Sequence, residues 1–275
     1  MLPTSDLYKR LLGEEHSIET RLVIGSSGVL IDEGGDRLTF GEDSAGQTVR
    51  ILVEQGGADD GHTESEIFEM STYHALFDGN MPTIGCTVAG RLDVSFIDLG
   101  INIPKMSEVI LYIRLTNLER TEHSEWIKKG VYYIDTREVS HNDNDLDIIK
   151  ITAYDALIKT QADYPDDTTN SYPALDTAIV NVIAKEMDVE VDSRTWAIMT
   201  GGYRYALPIN YSMNEMLSYI AMSYAGNWVM TDEGRLRLIS YKEIPKESRL
   251  LTDEIGYTLV FGEEVGTDEP IRIVV

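Results

Sequence analysis

Arg91-Leu92-Asp93-Val94-Ser95-Phe96-Ile97-Asp98 alternates polar and apolar residues, the period of a strand with one buried face. The runs around it repeat the pattern. Val109, Leu111, Ile113 and Leu115 share one face of the next strand, and Ile110, Tyr112, Arg114 and Thr116 take the other. Gly130-Val131-Tyr132-Tyr133-Ile134-Asp135 and Leu146-Asp147-Ile148-Ile149-Lys150-Ile151-Thr152 follow, joined by the polar segment His141-Asn142-Asp143-Asn144-Asp145 as a hairpin would be. Upstream, Arg21-Leu22-Val23-Ile24 and Val49-Arg50-Ile51-Leu52-Val53 also read as extended. Strands this dense, mostly joined by short turns, predict antiparallel pairing in a barrel or sandwich.

The period then changes. The spacing of Asp155 after Thr152 predicts a short capped helix through about Thr160. Leu175, Ala178, Ile179, Val182, Ile183 and Met187 form one stripe of an amphipathic helix, with Pro173 near its start. Met213, Met216, Leu217, Ile220, Ala221 and Tyr224 form a second stripe. Ser212 with Glu215 matches a capping box, and Gly226 is placed to end that helix in the left-handed conformation. A hairpin over Trp228-Val229-Met230-Thr231 and Arg235-Leu236-Arg237-Leu238-Ile239 turns at Asp232-Glu233-Gly234. Asp163–Tyr172, Lys242–Ser248 and the acidic, glycine-rich Glu54–Glu66 read as linkers or exposed loops.

The expected fold is therefore α+β and β-rich, a small antiparallel β-barrel with a helix-containing insertion. Its parts are a β-rich barrel domain over 1–160, a helical insertion over 161–227, and a hairpin with C-terminal strands over 228–275 that would contribute to a second barrel.

The chain has 275 residues, with 47 Asp and Glu against 23 Lys and Arg, a net charge of −24. That balance argues against a stable grip on nucleic acid, which needs basic groups to displace counterions, and against docking on an anionic membrane. A hydrophobic content of 43% supports a real core. The single Cys86 excludes an intramolecular disulfide and every multi-cysteine metal site. No run approaches the roughly 18 apolar residues of a membrane helix. Met1-Leu2-Pro3-Thr4-Ser5-Asp6 has no secretory n-region and h-region, so synthesis and folding in a cytoplasm are expected.

No reactive motif stands out. The phosphate-binding glycine motifs are missing, and Gly25-Ser26-Ser27-Gly28 lacks the spacing of a nucleophile elbow and reads as a turn. His16, His62, His74, His123 and His141 form no metal-ligand spacing. Asp143, Asp145 and Asp147 alternate like a calcium loop, but Ile148 stands where glycine is needed and Tyr154 where glutamate is needed. Tyr132, Tyr133 and Tyr154 read as core-edge or interface residues rather than a sugar platform. The expectation is a non-enzyme with no catalytic, cofactor-binding or metal residue and no cofactor.

The order of blocks carries more. Cys86-Thr87-Val88-Ala89-Gly90-Arg91-Leu92-Asp93-Val94 precedes Ile103-Pro104-Lys105-Met106-Ser107 and a strand. Then come Glu125-Trp126-Ile127-Lys128-Lys129-Gly130-Val131-Tyr132-Tyr133-Ile134-Asp135-Thr136, and Ile151-Thr152-Ala153-Tyr154-Asp155-Ala156-Leu157. Met216-Leu217-Ser218-Tyr219-Ile220-Ala221-Met222 leads through Ala225-Gly226-Asn227-Trp228-Val229-Met230 to Gly234-Arg235-Leu236-Arg237-Leu238. This string resembles the tail-hub (baseplate hub) proteins of tailed bacteriophages and prophages, over about residues 70–240 closely and the first 70 loosely. The type VI secretion spike hub shares that architecture. Hub proteins usually continue past the point where this chain ends, at Ile271-Arg272-Ile273-Val274-Val275.

The resemblance implies a structural role: a homotrimeric ring between tail-tube proteins and tip or spike proteins, found in the virion after assembly in the bacterial cytoplasm. It implies that DNA passes through the lumen without binding, and acidic walls would suit that passage. Gly130 would permit a bulge or close approach within a strand. The alternative is a carbohydrate-binding or cell-wall-degrading tail module, with Trp126, Trp196 and Trp228 available to sugars.

Overall fold

The computed structural model describes residues 4–25, 29–31, 37–39, 50–55, 67–79, 81–97, 103–141, 147–166, 170–241, 251–252 and 258–259. Helix α1 (Asp6–Leu12) is followed by strands β1 (His16–Gly25), β2 (Val29–Ile31), β3 (Arg37–Thr39), β4 (Arg50–Gln55), β5 (Ile67–Tyr73), β6 (Arg91–Ile97), β7 (Glu108–Asn117), β8 (Ile127–His141) and β9 (Asp147–Asp155). A 3-10 helix (Ala156–Gln161), β10 (Ala174–Leu175), α2 (Asp176–Glu186), α3 (Ser193–Ile198), β11 (Arg204–Tyr205) and α4 (Met213–Ser223) come next. The described chain ends with β12 (Gly226–Met230), β13 (Leu236–Ser240), β14 (Leu251–Thr252) and β15 (Thr258–Leu259).

Seven strands form one antiparallel sheet in the order β4-β1-β7-β8-β9-β6-β5. Its inner face is the predicted alternation. Leu92, Val94 and Phe96 of β6 pack with Leu22, Ile24, Val109, Leu111, Tyr132, Ile134, Ile149 and Ile151. The register shifts once between β7 and β8, at Leu111 and Tyr112, and once between β8 and β9, at Ile134 and Thr136. Each irregularity bends a strand and increases twist. The edge strands β4 and β5 accordingly come within 8 Å of one another, so the sheet curls toward a half-barrel. Gly130 sits at the first irregularity, opposite Leu111. A Cβ there would stand 2.5 Å from the Tyr132 ring, so the close approach expected of Gly130 is observed.

One end of the sheet departs from simple alternation, because both of its faces are covered. Arg114 and Thr116, set on the opposite face from Leu115, are buried as well. Arg114 forms an ion pair with its cross-strand neighbour Glu19, also buried, and both Arg114 and Arg21 lie over the Trp126 ring, at 4.5 and 4.3 Å. Helix α1, which the sequence pattern did not announce, packs against β7 and buries Leu11. Ser5 caps it, accepting from the Tyr8 amide, and also donates to Glu125, while Arg10 pairs with Glu122 at 2.7 Å. These contacts hold α1 to the 117–125 loop.

The second layer has its own core. Leu157, Ile179, Val180, Ile183, Met187, Met213, Met216, Leu217, Ile220, Trp228, Leu236 and Leu238 pack together, so the β12–β13 hairpin shares one apolar cluster with α2 and α4. The Ser212–Glu215 capping box forms as expected. Helix α2 starts at Asp176, with Pro173 just ahead of it. One other expectation is corrected. The left-handed residue after α4 is Ala225, with φ 49°, not Gly226. Gly226 begins β12, where a Cβ would stand 2.3 Å from the Ile239 carbonyl oxygen, so its role is close strand approach. No helix among the described residues is long and apolar enough to cross a membrane.

Candidate functional site

The sheet and the second layer meet at Asp155. It ends β9 because its side chain turns to cap the 3-10 helix, with one carboxylate oxygen accepting from the Leu157 amide at 3.0 Å. The other accepts from the Gly90 amide at 2.7 Å, and the Asp155 amide donates back to the Gly90 carbonyl at 2.9 Å. The residue is buried, and that burial pushes its carboxyl up to about 7, against the two amide bonds that hold it down.

Gly90 makes the joint possible. A Cβ there would stand 2.7 Å from His74 Nδ1 and 2.9 Å from Asp155 Oδ2, so both side chains converge on the same spot. His74, just past β5, pairs through Nε2 with the Tyr132 hydroxyl at 2.9 Å. Burial raises the Tyr132 hydroxyl well above the usual phenol range, with Asp155 and Asp232 adding to the effect. Lys129 pairs with Asp232 at 3.3 Å. Beside these groups lies a cavity of about 340 Å³, lined by His74, Leu76, Val88, Asp155, Met230 and Asp232 among others.

On the far side of the joint, Lys159 of the 3-10 helix donates to the Met187 carbonyl at 2.8 Å and stands 3.7 Å over the Tyr133 ring. Its burial lowers the ammonium from its ordinary value, and the same burial raises the Tyr133 hydroxyl to about 12. Every polar group of the joint is thus committed to holding strand, 3-10 helix and hairpin together. Its titratable carboxyl can take up or release a proton near neutral pH.

The other residues singled out in the sequence are dispersed. His16 contacts the Glu14 carbonyl at 2.8 Å, and His123 lies 3.5 Å from Glu19. Cys86 Sγ is 3.0 Å from the Thr83 hydroxyl, and the Cys86 amide donates to Asn227 Oδ1. His62, Asp143, Asp145 and Ser26–Gly28 lie outside the described residues, as does most of the acidic loop 54–66. Among the described residues, no group of three or more His, Cys, Asp or Glu is placed to hold a metal ion. The tryptophans do not form a shared platform. Trp228 is fully buried and donates to the Leu217 carbonyl at 2.8 Å, Trp196 packs against the helical core, and Trp126 lies under two arginines.

His74 is the member of the joint that sequence reasoning missed. It is separated from Tyr132 by 58 positions and joins it only through the β5–β6–β9–β8 order of the sheet. Asp155 was legible as a cap, and Gly90 and His74 carried no local signal.

No protein-family profile matches the chain, and no curated protein matches it. Among solved structures it is similar to the 43 kDa tail protein of prophage MuSo2 from Shewanella oneidensis, with 14% identity, a TM-score of 0.48, and coverage of 82% of this chain and 56% of that one. It is also similar to a tail protein from Neisseria meningitidis MC58, with 10% identity, a TM-score of 0.43, and coverage of 82% and 51%. A third likeness is to a chain of the lidded Francisella PdpA–VgrG complex, with 10% identity, a TM-score of 0.41, and coverage of 81% and 28%. The chain spans about half the length of the two tail proteins it matches. The chain itself is β-rich, with a curled antiparallel sheet and a helix-containing second layer.

Proposed function

We propose that the chain is a structural subunit of a phage-type tail, a hub piece that links the tail tube to the tip or spike and carries out no covalent chemistry. The observation that supports this reading most is what the resembling sequence blocks build. Glu125–Thr136 forms the start of β8 with its irregularity, Ile151–Leu157 forms the clamped strand-to-helix joint, and Met216–Leu238 forms the helix and hairpin of the second core. Each block is spent on shape: at the joint Asp155 and Lys159 bond to the main chain, and Tyr132 pairs with His74.

In this reading three copies form a ring, and the acidic surface faces passing DNA without holding it. The working place of the protein is the virion, with assembly in the bacterial cytoplasm. The burial of Trp228 weighs against the sugar-binding alternative, which counted on its ring.

Co-expression with tail-tube and tail-spike subunits tests the proposal. A complex that co-purifies with both, and in which the chain occupies the junction by electron microscopy, is the expected result. Failure to associate with either subunit, together with turnover or tight binding of cell-wall glycan by the isolated chain, would overturn it.

A further inference from the structure

The cavity at the joint changes character with depth. Its walls are apolar and half-buried: Leu76 and Val88 from the chain ahead of β6, and Val229, Met230 and Ile239 from the β12–β13 hairpin. Asp155 lines its buried end and is 4% exposed. His74 is exposed on the same lining, and the Asp232 side chain is 40% exposed. A carboxyl therefore lies at the bottom of an apolar-walled recess, with a second carboxylate at its rim.

The carboxyl is held but not saturated. Its oxygens accept one amide bond each, from Leu157 and Gly90, and an ionised carboxylate has room for about four. Strand β8 brings Lys129 and Tyr132 to its surroundings, the end of β5 brings His74, and the hairpin turn brings Asp232. Residues 87–90 bring no charge. Lys129 pairs with Asp232 at 3.3 Å, Tyr132 pairs with His74 at 2.9 Å, and Lys159 of the 3-10 helix turns away to the Met187 carbonyl. Among the described residues no cation pairs with Asp155, and burial lifts its carboxyl to about 7.

This lining selects a ligand. An anion would meet two carboxylates, and a neutral apolar group would leave the buried carboxyl unmatched. A metal ion finds too few ligands, since among the described residues no group of three His, Cys, Asp or Glu converges. A cation on an aliphatic stem fits both parts, with its stem on the apolar walls and its head on the carboxyl. Guanidinium suits the site better than ammonium, because it is more weakly hydrated and its fork of donors matches carboxylate geometry.

We propose that the cavity is a socket for one arginine side chain of a basic partner protein, seated with its guanidinium on Asp155 and its stem against Val88 and Met230. The socket stands apart from the tail role and holds for any partner that presents an arginine. The net charge of −24 draws such a partner in. A seated cation favours the ionised carboxylate, so binding releases the Asp155 proton and tightens as pH rises.

Amide NMR of the full chain with the peptide acetyl-Gly-Arg-Gly-amide is the test, read at the Gly90 and Leu157 amides that bond Asp155. The expected result is saturable shifts at both amides, absent with the matching citrulline peptide, whose head has a similar shape without the charge. With the carboxyl near 7, about a tenth is ionised at pH 6 and about nine tenths at pH 8, so affinity should rise about tenfold between them. Asp155→Asn should abolish that rise, whereas His74→Gln and Glu69→Gln, the latter exposed on β5, should keep it. A wild type with no shift at either amide, an equal response to the citrulline peptide, or a flat or falling pH profile would overturn the proposal. So would a rise that survives Asp155→Asn or is lost in His74→Gln. Tighter binding of free arginine than of the peptide would also overturn it, by pointing to a small metabolite instead of a partner's side chain.

Discussion

The molecule has two cores made of different material. The sheet core is aliphatic and β-branched, with Ile24, Val94, Val109, Ile134, Ile149 and Ile151 set at every second position. The second core mixes Met187, Met213, Met216 and Met199 with Trp228 and Tyr224 around three short helices and a hairpin. Stiff side chains on a pleated surface specify one register, whereas flexible thioethers fill an irregular space between elements of different geometry. Among the described residues the sheet core has one directional side-chain bond, Tyr132 to His74, whereas the second core leans on several: the Trp228 indole on the Leu217 carbonyl, the Tyr224 hydroxyl on the buried Asp176, and Ser240 Oγ on the Tyr224 carbonyl at 2.8 Å.

The sharpest way to break this contrast is Trp228→Ala. It removes the largest fully buried side chain together with its hydrogen bond, and the expected loss is about 4 kcal/mol, read as a drop in the denaturant midpoint. Ile151→Ala in the sheet core should cost less, about 3 kcal/mol, because no polar partner is orphaned there. A larger loss from Ile151→Ala than from Trp228→Ala would contradict the contrast.

The polar end of the sheet offers a second comparison. Arg114→Met leaves Glu19 buried without its cross-strand cation and should cost about 3 kcal/mol, while the double change Glu19→Met with Arg114→Met should recover most of that loss. Equal losses from the single and double variants in chemical denaturation would show that packing, not charge, holds this end. Gly226→Ala comes next, at about 2 kcal/mol, since its Cβ would press on main chain at Ile239 rather than on a movable side chain.

The pH response separates the joint from the surface. The folded carboxyl of Asp155 sits near 7, above the ordinary value of 3.8, so its contribution is fully present below about 4 and is lost as pH rises through 7. The slope approaches one proton, about 1.4 kcal/mol per pH unit, between those limits. Asp192, held down to about 2 by Arg194, behaves oppositely: its contribution is present above 3.8 and is lost as pH falls through 2. Asp155→Asn should flatten the stability profile between pH 4 and 7, and an unchanged slope in a thermal-melt series would contradict the assignment. The smallest expected effect is Ser212→Ala, about 1 kcal/mol, from loss of the α4 cap.

Legibility followed the range of the forces involved. The strands of 91–155 were readable because one buried face forces alternation, and α4 was readable because its cap and stripe are local. Helix α1 and helix α3 were not. Each is only one to two turns long, and α1 is held by Glu122 and Glu125, more than a hundred positions away. The burial of Arg114 escaped for a related reason: the lid over it, Trp126 and Arg21, arrives from two other segments. The joint was half visible. Asp155 announced itself as a cap, while His74 and Gly90 reach it only through sheet order and the absence of a side chain.

The proposed role is shape within a phage-type tail. Immunogold electron microscopy of tail particles, with antibody raised against the chain, tests it most directly. Label confined to the end of the tail, where tube meets tip, is the predicted result; particles that lack the protein, or carry it along the whole tube, would contradict the account.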